Sequence, residues 1–462
     1  MSEHFCPAYP RPRKKRGSLV MMFFSARRSW LDALYERSYA MQMGEVHLPG
    51  LDMYMVNEPA LVRRILADEA ASFPKSALMG EALEPLLGKS IFTTNGAQWK
   101  RQRQMMDPAF AQARLNVAFP RMREAVQDMI ARLDAVDDGA RHDIEAEMTH
   151  VTADIIFRTI FSTPMEGAEV RQMFAAFARY QTLAPRLMLP SLFGARWLVW
   201  PWDFWRSRRA AREIRVLLEA FVRPRHEAYV AGLPHPHTDI LAAFLDARDE
   251  STGAPFELGE LVDQVAMLFL AGHETSASAL GWACHLMAHV PDIQDRMHAE
   301  GLQEIGERTP ESSDMKKLEL TRNVFRETLR LFPPVGFFAR EAAVACPMRD
   351  KQVPQGATVV VSPWLIQRHR QWWPQPDAFN PDRYADDASR EQLKQAYLPF
   401  GMGPRVCLGA AFALQEAALI LFSVARYWRL EPATGHEPQP VGRLTIRSAN
   451  GVWVTLRKRT TT

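Results

Sequence analysis

The sequence predicts a mainly α fold with a small β lobe, and three observations carry that expectation. Apolar residues recur at spacings of three and four through most of residues 98–291, the period of helices that bury one face. Runs of alternating or β-branched residues are confined to positions near 45–56, 357–362 and 451–456, so strands belong to a minor part. A loop with three glycines and a proline surrounds Cys407 and leads into another apolar-periodic segment.

In chain order, strands are expected at 45–49 and 52–56, split by Gly50, followed by a helix with Asn57 as its cap and Pro59 in its first turn. Helical periodicity then covers 113–133, 144–161 and 210–230, and a long apolar helix runs from about Glu257 to His289. Strands return at 357–362 and 451–456. The β lobe is expected to be built from both chain ends. Residues 1–40 are read as a basic, partly flexible N-terminal segment, and 41–462 as one domain.

The composition is that of an ordinary globular protein, 47% apolar and 24% charged. A net charge of +3 over 462 residues gives no argument for nucleic acid as a partner. The four cysteines (Cys6, Cys284, Cys346, Cys407) fit neither a zinc site nor a disulfide framework, which points to a reducing compartment, the cytoplasm. The uncharged run Thr275–Pro291 carries serines and histidines and ends in proline, so it reads as a buried helix rather than a membrane span. The apolar stretch after Arg16 is too short for a signal peptide. A monomer is expected, with at most peripheral membrane contact through that basic, apolar start.

Read as chemistry, the segment Phe400-Gly-Met-Gly-Pro-Arg-Val-Cys407-Leu-Gly409 lets backbone approach something flat, because glycine carries no side chain. A cysteine just before a helix has its thiolate favoured by free amide donors and the helix dipole. A thiolate is also the axial ligand that favours O–O cleavage at haem iron.

The spacing Phe-x-x-Gly-x-Arg-x-Cys-x-Gly resembles the haem loop of the cytochrome P450 family. Further segments resemble that family. Ala271-Gly-His-Glu274-Thr275 matches its oxygen-activation motif, Glu327-x-x-Arg330 its Glu-x-x-Arg pair, and Pro381-Asp-Arg383 the arginine that completes it. The resemblance implies haem b lying between the long central helix and the cysteine loop, with Cys407 as the iron ligand. Phe400, Arg405, Gly409, Ala271, Trp99, Arg103 and Arg340 become cofactor-binding residues, the indole and the arginines as propionate donors. Glu274 and Thr275 become the catalytic acid and alcohol of a proton relay, while Glu327, Arg330 and Arg383 become structural. Met267, Ala271, Val335, Phe337 and Phe338, with stretches 77–91 and 448–451, would line a mostly apolar substrate pocket. Residues 181–205, rich in tryptophan and proline, would lie in the lid, either packed on the core or open to substrate or membrane.

The implied reaction inserts one atom of O2 into an apolar organic substrate by hydroxylation or epoxidation. No flavin or nicotinamide fingerprint and no iron–sulfur cysteine cluster occurs in these residues. Electrons are therefore expected from NAD(P)H through a ferredoxin and its reductase, docking in part on Lys100 and Arg101. No anchor and no fused reductase are expected. Two alternatives stay open at this stage: an isomerase, dehydratase or peroxygenase on the same fold, needing no external electrons, and a non-catalytic haem-binding sensor.

Overall fold

A computed structural model describes residues 4–14, 28–48, 51–165, 167, 172–183, 200–234, 236–385, 393 and 395–459. The principal helices are α1 Ala77–Leu87, α2 Gly96–Met106, α3 Gln112–Asp134, α4 Ile144–Phe161, α5 Pro201–Val230, α6 Leu258–His289, α7 Pro291–Glu304, α8 Glu319–Leu331 and α9 Ala410–Tyr427. The strands are β1 Met43–Leu48, β2 Leu51–Val56, β3 Arg141–Asp143, β4 Phe338–Glu341, β5 Cys346–Met348, β6 Lys351–Val353, β7 Thr358–Val361, β8 Trp428–Pro432, β9 Pro440–Gly442, β10 Ile446–Ser448 and β11 Trp453–Lys458.

Helix α6 is the axis of the domain. It starts on a reciprocal cap, in which Glu257 and Glu260 each accept from the other's backbone amide. It stops at His289, two residues before Pro291, whose missing N–H and ring oppose continuation. Nearly all of it is buried in the main apolar cluster. Gly272 has a packing reason to be there: a Cβ would sit 3.0 Å from Ile156 of α4, so glycine lets the two helices approach closely. Helix α4 is itself capped by the Asp143 carboxylate, which accepts from the Glu145 and Ala146 amides at 3.1 and 3.4 Å.

The main sheet has the order β1-β2-β7-β4. β1 and β2 form a hairpin, with Met43 opposite Val56, and β2 runs parallel to β7, with Val56 opposite Val361. β11 does not join it. It pairs instead with β3 and β8, so the β lobe is not built from both chain ends as expected. The last strand closes over the entry to α4, where Trp453 lies opposite Asp143.

Two further expectations are corrected. The short helix Pro59–Arg63 has Glu58 at its cap position, without a side-chain cap. Asn57 instead donates to the Ser38 and Met41 carbonyls. Helix α5 begins at Pro201, earlier than the periodicity suggested, because its first turns present Trp202 and Trp205 to solvent (72% and 66% exposed) rather than to the core. The described part of residues 1–40 is packed on the domain. Phe5 stacks on His289 at 4.5 Å, Tyr9 bonds Asp377 at 3.2 Å, and buried Trp30 fills the space left by Gly336 and Gly442. Its aromatic side chains explain this: they bury area that the basic residues around them concealed in the composition.

By length and composition, one described helix, Ala410–Tyr427, is apolar enough to cross a membrane, and 67% of it is buried inside the domain.

Behind the cysteine loop, Glu327 is fully buried with both oxygens occupied. Arg330 reaches them at 2.8 and 2.8 Å, Arg383 at 3.1 Å and the Tyr384 hydroxyl at 2.8 Å. Burial opposes ionisation of Glu327, but Arg330 and Arg383 outweigh it and hold its pKa below the usual value. The stabilisation this gives is present above the unfolded carboxyl's pKa of about 4.3 and is lost as pH falls through the depressed folded value. Glu327→Ala strands two buried guanidinium groups and should cost roughly 3–5 kcal/mol. Urea unfolding should show it as a lowered midpoint, and a midpoint unchanged at neutral pH would contradict the arrangement.

Candidate active site

The cysteine loop is shaped by backbone that only glycine accepts. Gly401 and Gly403 have φ of +73° and +72°, and a Cβ on Gly403 would lie 2.2 Å from the Leu66 carbonyl oxygen. The Val406 amide closes on Gly403 and the Cys407 amide on the Phe400 carbonyl, at 3.0 and 2.9 Å. Gly409 is the cap position of α9, and its amide donates to the Cys407 sulfur. Cys407 keeps accessible surface, yet desolvation pushes its thiol pKa up, opposed by the Gly409 amide and by Arg103. An accessible sulfur that is nevertheless desolvated faces a recess in the protein rather than open water. Ala271 behaves alike: it is exposed on α6 while Leu270 and His273 beside it are buried.

Around this loop lies a set of cations, Arg405, Arg340 and Lys75. Arg405 stacks over the Trp99 ring at 4.2 Å and donates to Asn95 at 2.7 Å. Arg340, 8% exposed, donates from its guanidinium to the Ala339 carbonyl at 3.2 Å. Lys75, bridged to Arg340 through the backbone, donates to the Phe92 carbonyl at 2.7 Å. Burial lowers the Arg340 and Arg405 pKa values to about 10. Lys75 is lowered well below its usual value by burial and then by Arg405 and Arg340. Among the described residues none of the three has a carboxylate partner. Like charges held together without a counter-ion are costly, so the cluster is built to receive an anion. A flat cofactor with two carboxylates, ligated by a thiolate, fits both this set and the glycine loop. Arg103 differs from expectation: it donates to Asp107 at 2.5 Å and to the Val406 carbonyl at 2.7 Å, and so braces the cysteine loop.

On α6, Thr275 donates back to the Ala271 carbonyl at 2.7 Å and the helix continues unbroken. Glu274 is 4% exposed. Its oxygens accept from Thr445 at 2.7 Å, from Arg447 at 3.2 Å and from Gln181. His273 donates from Nδ1 to the Phe269 carbonyl at 2.7 Å, and burial lowers its pKa. The acid and the alcohol are therefore adjacent in sequence but turned to different partners.

The pocket candidates divide. Met267 is buried in the main cluster, and Phe337 packs edge-on against Trp30 at 5.3 Å. Val335 is half-buried. Phe338 lies against the cysteine loop, 3.7 Å from where a Gly401 Cβ would be, so it belongs to the loop side. Of the lid stretch, 184–199 lies outside the described residues. Lys100 is exposed, but Arg101 is committed to Asp249 and Glu260 at 3.0 and 2.6 Å, which removes it from any free basic patch.

Sequence reasoning missed Lys75, Gln181, Thr445 and Arg447, because none sits in a local pattern. It also missed Glu416 on α9, which is 1% exposed and faces the Ser276 hydroxyl. Burial pushes its pKa up to about 8, with Ser276 opposing, and it is mostly protonated at neutral pH. An acid at that point of an apolar helix was the available signal.

Comparison with known proteins follows the same lines. The sequence model of the family described as Cytochrome P450 matches residues 18–451. Cyclooctatin synthase of Streptomyces melanosporofaciens is 31% identical, over 87% of this chain and 86% of its own length. Cyclooctat-9-en-7-ol 5-monooxygenase of the same organism is 30% identical, over 85% and 83%. Pentalenene oxygenase of Streptomyces avermitilis is 28% identical, over 88% of each. The crystal structure of a cytochrome P450DA heme domain superposes with a TM-score of 0.77 at 22% identity, covering 91% of this chain and 89% of that one, a likeness of fold. With its motifs, its fold and these matches in agreement, the chain belongs to the cytochrome P450 family and is a haem-dependent monooxygenase.

Proposed function

We propose that the protein inserts one atom of O2 into an apolar organic substrate, by hydroxylation or epoxidation, and that Cys407 is the residue that would hold haem b through its thiolate. The observation that carries this is the desolvated yet accessible Cys407 sulfur, supported by the Gly409 amide at the head of α9. Bound haem supplies the reduction and cleavage of O2 and the transfer of one oxygen atom, the other leaving as water.

The chain's own residues do the rest. Lys75, Arg340, Arg405 and the Trp99 N–H would hold the two propionates, and the three cations would lose their mutual repulsion in doing so. Ala271, small and accessible on α6, would leave room beside the bound group. Thr275 holds a proton on its hydroxyl there, and Glu274 brings protons to it from the flank of the domain. Glu327, Arg330 and Arg383 keep the loop's foundation rigid and take no part in chemistry. Met267, Val335 and Phe337 exclude water and present an apolar wall. Two relatives bear names of oxygenases for cyclooctat-9-en-7-ol and pentalenene, which supports a carbon-rich substrate here too.

Electrons come from NAD(P)H through a ferredoxin and its reductase, with exposed Lys100 in the docking face.

Cys407→Ala should abolish the red-shifted ferrous carbon monoxide spectrum, while Cys284→Ala and Cys346→Ala should keep it; a retained spectrum in the first would overturn the ligand assignment. In Thr275→Ala, haem and substrate should still bind but reducing equivalents should be lost as peroxide, so an unchanged ratio of product to NAD(P)H would refute the relay. Turnover should require an added ferredoxin system and should slow as salt shortens the Debye length below about 8 Å. Oxidation with NADPH and O2 alone would disprove the electron route.

A further inference from the structure

We infer that Arg447 is a positioning residue of the proton relay, holding Glu274 turned away from Thr275 on a guanidinium shared with Glu145, and that Glu145 is the outer proton carrier. The inference rests on the reading of Glu274 and Thr275 as a relay and adds its route to solvent.

The geometry is specific. Arg447 donates to Glu274 at 3.2 Å, to Glu145 at 2.9 Å and to the Thr149 hydroxyl at 2.6 Å. Thr445, two residues earlier, holds the other Glu274 oxygen at 2.7 Å. Between them, the Ile446 carbonyl accepts from Ser278 and Trp282 of α6 at 2.7 and 2.9 Å. The strand carrying both donors is thus pinned to the helix that carries the acid. Side-chain exposure rises outward along the set, from 5% at Glu274 through 11% at Glu145 to 22% at Arg447, so solvent enters from the Glu145–Arg447 end.

Charge supports the assignment. One guanidinium serves two carboxylates, so the cluster favours keeping a proton on one of them. The other groups facing it are Asp143, at the cap of α4, and His273, beside Glu274. Burial raises the Glu145 pKa against the pull of Arg447, and Asp143 and Glu274 add to the rise. Burial works against the charge on Arg447, but Glu274 and Glu145 outweigh it and hold the guanidinium more firmly protonated. Glu145 is therefore the acid that takes up a proton. That proton passes to Glu274, which becomes a carboxylate again on releasing it toward Thr275. Arg447 stays charged throughout, and no electron moves.

The test uses the haem-loaded protein and four variants: Arg447→Met, Arg447→Lys, Glu145→Gln and Glu274→Gln. Two readouts are taken against pH: product formed per NAD(P)H, and, in the resting protein without turnover, the infrared carboxyl bands lost in Glu145→Gln and in Glu274→Gln. Removing a cation within a few ångströms makes a carboxylate less favourable, so in Arg447→Met the Glu145 midpoint should move to higher pH by about 1–3 units. Arg447→Lys should recover most of the shift, and Glu145→Gln should raise peroxide release and the solvent isotope effect at unchanged haem content. A Glu145 midpoint that stays in place in a folded Arg447→Met, or a Glu145→Gln with unaltered coupling and isotope effect, would overturn the inference. If Arg447→Met does not fold, Glu145→Gln decides alone. Unchanged coupling in Glu274→Gln would instead defeat the relay reading itself.

Discussion

The buried carboxylate of Glu327 is the constraint on which the cysteine loop depends. Residues 367–384 contain little regular structure, and what organises them is the pair of guanidinium groups that Glu327 neutralises. Arg330 donates to the Gln367, Pro376 and Ala378 carbonyls at 2.9, 2.6 and 2.9 Å. Gln367 then uses its side chain to bond the Leu329 carbonyl at 2.9 Å and the Leu398 amide at 2.7 Å. The Leu398 carbonyl receives the Gly401 amide at 3.1 Å, and the Cys407 amide returns to Phe400. A set of hydrogen bonds therefore runs from α8 to the Cys407 amide. Each link satisfies a buried polar group that would otherwise cost about 1–3 kcal/mol, which is why irregular backbone can be held rigid there.

The two sides of the site use charge in opposite ways. Behind the loop, acid and base are paired and saturated, so the region is fixed. At the cation cluster, Lys75, Arg340 and Arg405 have been brought together without an acid, and Trp99 stacks on one of them. That arrangement is unfavourable until an anion arrives, and the free energy released on binding it is correspondingly large.

Much of this was legible in the sequence because it is written in local spacing. The cysteine loop, the Glu327–Arg330 pair and the central helix are each contiguous, and their positions follow from glycine conformation, helical periodicity and proline. The helix α4 was readable at its true bounds because Asp143 caps it and its apolar face is unbroken. What failed to show was tertiary. Asn57 sits where a cap would stand, yet the Ser38 and Met41 carbonyls compete for its amide. Trp202 and Trp205 carry no inward periodicity, so the first turns of α5 were not visible as helix. Lys75 and Arg340 lie far apart in sequence and meet only because the backbone after Phe73 runs against β4. Arg101, basic in sequence, is neutralised by acids more than 140 positions away.

The same distinction governs the acid on α6. Glu274 beside Thr275 is a local pattern, and it suggests that acid and alcohol act on one another directly. The folded chain separates them: the alcohol turns back to Ala271, and the acid turns out to a C-terminal strand that no motif ties to it. A carboxylate buried to 4% and left to itself would be forced toward its neutral form. Here a guanidinium from one side, a hydroxyl from the other and an amide from the helix at 172–183 compensate its charge. Glu274 is accordingly accommodated within a mostly apolar helix, next in sequence to Thr275. Movement of a proton between the two then requires either a rotation of the Glu274 side chain or water in the space beside Ala271, and the accessible surface of Ala271 leaves room for the second.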